Sequence, residues 1–87
     1  MNTATIYFSD KSTIVVKEGD SIIPIVQTVI SDNVFSSMGE SVEIYNHVNN
    51  GLIPALLDAF YLCKFFYINS SDSPVYGTAC IVKIENN

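Results

Sequence analysis

The sequence predicts a single α+β domain over residues 1–87: an antiparallel β-sheet of about five strands with two short helices packed on one face, in the order βββ-αα-ββ. Three observations predict this class. β-Branched and aromatic residues dominate the first third of the chain, apolar residues recur at helical spacing in the middle, and alternating apolar residues return near the end.

The first third of the chain predicts a three-strand meander, because short turn signals separate three β-rich runs. Pro24 has no backbone N–H, so the third strand is expected either at a sheet edge or interrupted there. The following segment is polar and fits no clear pattern, and a loop is its simplest interpretation. The three predicted strands span 3–9, 12–17 and 21–30, and the loop spans 31–38.

The middle of the chain predicts two helices. Val42, Tyr45 and Val48 recur every three residues, which indicates an amphipathic helix, and Gly51 supplies its stop. Pro54 suits the first turn of a second helix, where its missing N–H is harmless. This second helix is apolar nearly all round, so we expect both of its faces to be covered.

The last third predicts two further strands. Residues 64–68 form an apolar run typical of a buried strand, and residues 75–85 alternate as one long final strand. Gly77 inside that strand indicates a bulge or a close backbone approach.

Composition indicates a protein with more apolar residues than its own core needs. Hydrophobic residues make up 48% of the chain and charged residues only 15%, against roughly 25% charged in average soluble domains. Either the protein is an unusually apolar monomer, or an apolar face is buried against another chain, most simply a second copy in a homodimer. The homodimer is the expectation adopted here.

Charge narrows the classes of partner. The net charge is −5, and the four lysines are scattered with no arginine among them. Nucleic-acid binding needs a basic patch, so no nucleic-acid partner is expected. The absence of arginine also weighs against phosphate and nucleotide chemistry.

Localisation is predicted to be cytoplasmic. The first residues lack the basic-then-apolar pattern of a signal peptide, and the most apolar stretch, 52–68, contains Asp58 and Lys64. No membrane association is therefore predicted. Cys63 and Cys80 are then expected to be free, buried thiols, and they lack the spacing of a redox or metal site.

The residues that could carry chemistry are few. His47 is the only histidine, and Glu43 lies four residues before it, on one face of the predicted helix. The pair suits either a small surface interaction or acid–base catalysis, and Asp58 is a second possible partner for the imidazole. No nucleophile is tied to His47 by a motif, so we predict no enzyme activity, no catalytic residue, no metal site and no cofactor.

A polar cluster beside the predicted helix stop is the candidate binding site. Asparagine offers hydrogen-bond donors and acceptors without charge, and tyrosine is enriched at interfaces. The alternative is an ordinary solvent-facing helix with its cap. The candidate residues are Tyr45, Asn46, His47, Asn49 and Asn50.

Three segments of the chain carry a resemblance. Gly51-Leu52-Ile53-Pro54-Ala55-Leu56-Leu57, Phe65-Phe66-Tyr67 and Ala79-Cys80-Ile81-Val82-Lys83-Ile84-Glu85 resemble small proteins of phages and prophages of Gram-positive bacteria. The resemblance implies a mobile-element accessory protein without enzymatic activity, which as a phage-encoded protein would be located in the host cell cytoplasm. Many such proteins bind and block a host protein, including components of defence systems, and no functional residues transfer from them.

Three hypotheses follow. The first is a non-catalytic protein-binding module, a phage-encoded inhibitor of a host or defence protein. The second is a small-ligand-binding or sequestering protein with its pocket at a homodimer interface, contacted by Tyr45, Asn46, His47 and Asn50. The third is a small enzyme that uses His47 with a neighbouring carboxylate.

Overall fold

A computed structural model of the protein describes residues 2–47, 49–61 and 63–87. In these ranges the chain forms eight β-strands, one α-helix and a short 3-10 turn. The helix, α1, spans Ile53–Tyr61, and the 3-10 turn spans Thr78–Cys80. The strands are β1 (Thr3–Phe8), β2 (Thr13–Lys17), β3 (Ser21–Ile30), β4 (Asn33–Met38), β5 (Val42–Glu43), β6 (Phe65–Ile68), β7 (Tyr76–Gly77) and β8 (Ile81–Asn86).

The strands form two antiparallel sheets instead of one. The first sheet has the order β2-β1-β8, so β1 pairs with both its hairpin partner and the last strand. The second has the order β4-β3-β6-β7, and β5 also pairs with β3. The hairpin of β1 and β2 is as predicted, but β3 belongs to the other sheet, so the predicted three-strand meander is wrong.

Pro24 lies inside β3, which is neither an edge strand nor broken. Gly39 N–H donates to Pro24 O over 2.7 Å, so the proline nitrogen faces the same side as that carbonyl. On that side β3 pairs with β4 from Ile25 onward and with β5 at Ser21 and Ile22. The missing N–H therefore falls where β3 changes its partner, and only the ladder beside it is interrupted.

One hydrophobic core joins both sheets to one face of α1. Its fully buried members include Ile6 of the first sheet, Phe66 of the second and Leu56 of the helix. The Phe66 ring lies 4.7 Å from that of Phe60 and 5.6 Å from that of Tyr76 between centroids, and Tyr76 stacks on Phe8 at 5.3 Å. These aromatic contacts connect the helix and the two sheets.

Over residues 42–47 the predicted first helix does not form, and a short strand and a β-bridge lie there instead. Val42 and Glu43 form β5, and Ile44 is fully buried. Its N–H donates to Asp20 O over 2.8 Å. The alternation of Val42 with Ile44 places both toward the core, and β-branched residues favour the extended backbone that this requires. Val48, the third residue of the predicted helical pattern, lies outside the described residues.

The second predicted helix is confirmed as α1, with Pro54 in its first turn. The prediction that both faces are covered is wrong. Ala55, Leu56 and Ala59 are buried, whereas 90% of Tyr61 is exposed at the helix end. In the described ranges, no helix combines the length and the apolar character that crossing a membrane would require.

Two further segments differ from prediction. Residues 31–38 are not a loop: Ser31 and Asp32 form a two-residue turn with φ of 50° and 65°, and β4 follows. The final strand is not continuous, because the 3-10 turn Thr78–Cys80 separates β7 from β8. In this turn Thr78 Oγ1 donates to Lys64 O over 3.1 Å. No bulge is found at Gly77; the irregular register lies between β1 and β8. Two sheets and one described helix thus replace the predicted five-strand sheet with two helices.

Candidate functional site

The second half of β3 and all of β4 form a hairpin without a covering layer, here called the arm (residues 26–38). Every residue of the arm is exposed. The molecule is correspondingly elongated, measuring 46 by 26 by 22 Å. Exposed strands normally carry polar residues toward water, yet the arm exposes large apolar side chains. These are Val26, Val29, Ile30, Val34, Phe35 and Met38.

The register of the arm divides its side chains into two faces, since directly opposed residues share a face. One face, here called the groove face, carries an apolar pair at the tip, a polar pair in the middle and an apolar pair at the base. Gln27 Nε2 donates to Ser36 Oγ over 3.4 Å in the middle pair. The three pairs are Val29 with Val34, Gln27 with Ser36, and Ile25 with Met38.

The groove face and the end of α1 enclose an open groove of about 540 Å³. Tyr61 and Cys63 supply its far wall, and the exposed Lys64 stands beside them. The groove is therefore lined mainly by apolar side chains with one cation present. Sequence reasoning missed this site, although the excess of hydrophobic residues was its visible signal.

The thiol that lines the groove is a poor candidate for nucleophilic chemistry. Burial raises the pKa of Cys63 above its ordinary value, so the thiol stays protonated at neutral pH and reacts slowly. Its Sγ also lies 3.6 Å from Ala59 O, within hydrogen-bonding distance for sulfur. Cys63 and Cys80 are both free, as predicted, but Cys80 is exposed, so its predicted burial is wrong.

The predicted polar cluster lies at a different place, in a hollow of about 290 Å³ here called the asparagine hollow. Four of the five predicted residues line it, and Tyr45 does not. Residues from both ends of the described chain complete it, and sequence reasoning missed them. The lining residues are Asn2, Thr3, Asn46, His47, Asn49, Asn50, Gly51, Leu52, Asn86 and Asn87.

Asn86 holds the loop that forms one wall of this hollow. Its Oδ1 accepts from Leu52 N–H over 3.2 Å, and its Nδ2 donates to Asn50 O over 2.9 Å. Gly51 has a φ of +67°, and a Cβ there would lie 2.6 Å from Asn86 Oδ1. Only glycine suits both the backbone conformation and the space. Asn87 is engaged in the same way, because its Oδ1 accepts from Thr5 Oγ1 and its Nδ2 donates to Thr3 Oγ1, each over 3.1 Å. The amides that these contacts leave for a ligand are those of Asn2, Asn46, Asn49 and Asn50.

Glu43 and His47, which the sequence places on one face of a predicted helix, do not lie on a helix. Glu43 lies in β5, and the exposed His47 forms a bridge in which its N–H donates to Gly51 O over 2.7 Å. Asp58 is exposed on α1. Among residues 2–47, 49–61 and 63–87, no three His, Cys, Asp or Glu side chains are grouped closely enough to hold a metal ion.

Comparisons of the chain with protein-family models, with curated proteins and with solved structures gave no match. The two candidate sites, the groove and the asparagine hollow, are therefore judged on their geometry and chemistry.

Proposed function

We propose that this chain is a non-catalytic protein-binding module that holds a partner protein in the groove between the arm and the end of α1. The observation that carries the proposal is the exposure of the whole arm together with its large apolar side chains. Contiguous exposed apolar surface is unfavourable in water and marks interaction sites. Tyr61, 90% exposed beside the groove, is of the residue type enriched at interface centres.

The chemistry of the groove defines the partner segment. Val29 and Val34 offer an apolar floor near the tip, and Lys64 offers a cation at the other wall. A complementary segment presents an apolar side chain to the valines and a carboxylate within reach of Lys64. The resemblance to proteins carried by phages favours a host protein, including a defence component that the chain inhibits, as the source of that segment.

Site-specific photo-crosslinking tests the groove directly. A photoreactive amino acid replaces Tyr61 in one variant, and Val82 in a matched control. Val82 is 65% exposed on β8 of the other sheet and does not line the groove. Each variant is illuminated in a lysate of a Gram-positive host, and the crosslinked proteins are identified by mass spectrometry.

We expect one protein to crosslink at position 61 and not at position 82, and to be lost when Val29→Asp is added. An aspartate there places a charge on the apolar floor. Crosslinking of the same proteins from both positions, or survival of the crosslink in the Val29→Asp variant, would contradict a specific groove.

A second candidate function is the binding of a small neutral polar ligand in the asparagine hollow. Its lining is rich in side-chain amides, and it unites four residues that the sequence singled out. Amides can hydrogen-bond to hydroxyl or amide groups of such a ligand. Titration with neutral saccharides, followed by NMR of the amide groups of Asn46 and Asn49, tests it. Unmoved signals across the panel would remove this candidate.

A further inference from the structure

The outer edge of β4 has backbone groups that face away from β3. In the described chain β4 stands at the end of its sheet, with β3 as its neighbour. Gly39 N–H points to β3, where it bonds to Pro24 O at 2.7 Å. Backbone direction alternates along a strand, and a two-residue turn such as Ser31-Asp32 makes its flanking pair a hydrogen-bonded one. Both arguments direct the N–H and C=O groups of residues 34, 36 and 38 outward.

This edge lacks the features that usually protect a sheet edge from pairing. Lysine, other charges, proline and bulges are the common protections. The outer strands of the first sheet have them: β2 contains Lys17, and β8 contains Lys83 and Glu85. β4 has the sequence Asn-Val-Phe-Ser-Ser-Met, with no charge, proline or glycine. It is therefore ready to accept another strand.

We propose that β4 pairs antiparallel with β4 of a second copy of this chain, about a two-fold axis at Ser36. Ser36 then lies opposite Ser36 of the second copy, and Val34 lies opposite Met38 of the second copy. The two hairpins become one four-stranded sheet. This dimer is independent of the groove partner, because it uses the strand edge instead of the groove wall formed by α1.

Self-complementarity of the groove face favours this register. Across the four strands of the groove face, every row is chemically uniform, so apolar side chains meet apolar ones and polar meet polar. Moving the axis to Phe35 would place Val34 against Ser36, and moving it to Ser37 would place Met38 against Ser36. The three rows are Val29-Val34-Met38-Ile25, Gln27-Ser36-Ser36-Gln27 and Ile25-Met38-Val34-Val29, each read from one copy into the other.

Charge opposes a second copy only weakly. Although the chain has a net charge of −5, Asp32 at the tip is the one charged residue of the arm. The proposed pairing brings each Asp32 toward Glu40 of the other copy, beyond the last strand pair. Salt screens that repulsion, so the dimer is expected to strengthen as salt is added. A contact of this length falls below the roughly 1,200 Å² of stable interfaces, so the dimer is reversible.

Charge reversal at the axis tests the register. Ser36→Lys and Ser36→Glu each place like charges opposite one another, and a mixture of the two places opposite charges together. Sedimentation of the purified full chain, over concentrations from micromolar to millimolar, measures the dimer. Ser37→Lys is the matched control, because Ser37 is also exposed but would oppose Phe35 of the second copy.

We expect the wild type and Ser37→Lys to dimerise with rising concentration. Each Ser36 variant alone should dimerise at least about tenfold more weakly than the wild type. An equal mixture of the two variants should recover the dimer. Circular dichroism checks that all variants are folded. A wild type that stays monomeric throughout, or a Ser36→Lys variant that dimerises as well as the wild type, would overturn the proposal. So would a mixture that stays monomeric. None of these results bears on crosslinking at Tyr61.

Discussion

The two halves of β3 are alike in sequence and opposite in environment. Ile22 in the first half is fully buried, whereas Ile30 in the second half is 58% exposed. The first half pairs with β5 and β6 and packs toward the core, and the second half pairs with β4 alone from residue 26 onward. The same residue type thus serves as core in one half and as surface in the other. In β3 the residue types favour a strand in both halves, but burial is decided by what covers the strand.

The described residues outside the arm, here called the body, are held together differently from the arm. In the body, aromatic contacts and the Asn86 side chain connect segments that are distant in sequence. The arm depends on its own ladder and on the turn at Ser31-Asp32. We therefore expect the arm to open locally more readily than the body unfolds. A surface that is built this way gains stability when a partner covers it.

The largest expected difference in the free energy of unfolding is between substitutions in the two halves of β3. Ile22→Ala removes a fully buried side chain and should lower the free energy of unfolding by about 3 kcal/mol. Ile30→Ala removes an exposed side chain and should change it by about 0.5 kcal/mol or less. Urea unfolding at low protein concentration, followed by circular dichroism, measures both.

A smaller substitution at Ile22 checks whether burial sets the size of the effect. Ile22→Val removes one methylene and should lower the free energy of unfolding by about 1 kcal/mol, between the other two results. Equal destabilisation by Ile22→Ala and Ile30→Ala would mean that the arm is covered in solution, and the description of an open arm would then be wrong.

Local signals account for the parts of the fold that were predicted. The hairpin of β1 and β2, the helix at Pro54 and the strand around Phe66 each carry their own pattern of turns or periodicity. The segment containing Val42 and Ile44 fits both a helical and an alternating pattern, and pairing with β3 decided between them. The pairing of β1 with β8 joins the two ends of the described chain, which no local pattern encodes.

The residues of the candidate sites also differ in whether local sequence could predict them. Asn46 and Asn50 could be singled out because they are close in sequence, whereas Asn86 reaches them only through the pairing of β8. The sequence of β4 predicts a loop because its polar and apolar residues do not alternate cleanly. Its hairpin turn also lacks glycine, which is the usual signal. The groove could not be predicted either, because Val34 of β4 is part of its lining.

A smaller effect concerns Asp20, where the buried half of β3 begins. Burial acts to raise the pKa of this carboxyl, but hydrogen bonds from Lys17 and Asn69 and the charge of Lys17 outweigh it and hold the pKa below the ordinary 3.8. Lys17 N–H and Nζ both lie 2.9 Å from the carboxylate oxygens. Asp20→Asn should lower the free energy of unfolding by about 1–2 kcal/mol at neutral pH.

The sign of the pH dependence follows from the lowered pKa. The stabilisation by Asp20 is complete above the ordinary pKa of 3.8 and is lost as the pH falls through the lower folded-state value. The difference between wild type and Asp20→Asn should therefore be constant near neutrality and shrink below about pH 4. Urea unfolding at a series of pH values measures it. A difference that grows on acidification would contradict the role given to this carboxylate.

The smallest effect concerns the tip of the arm. Ser31 and Asp32 hold φ values of 50° and 65° that asparagine and glycine adopt more easily. The double variant Ser31→Asn/Asp32→Gly should stabilise the arm by about 1 kcal/mol and slow amide exchange at Thr28 and Phe35 roughly fivefold.

Asp32→Asn controls for the lost charge, and adding Ser36→Lys to every variant limits dimerisation. The thermal midpoint of the body should not move, because the arm opens separately. A rise of that midpoint in step with the slower exchange would mean that arm and body unfold as one unit.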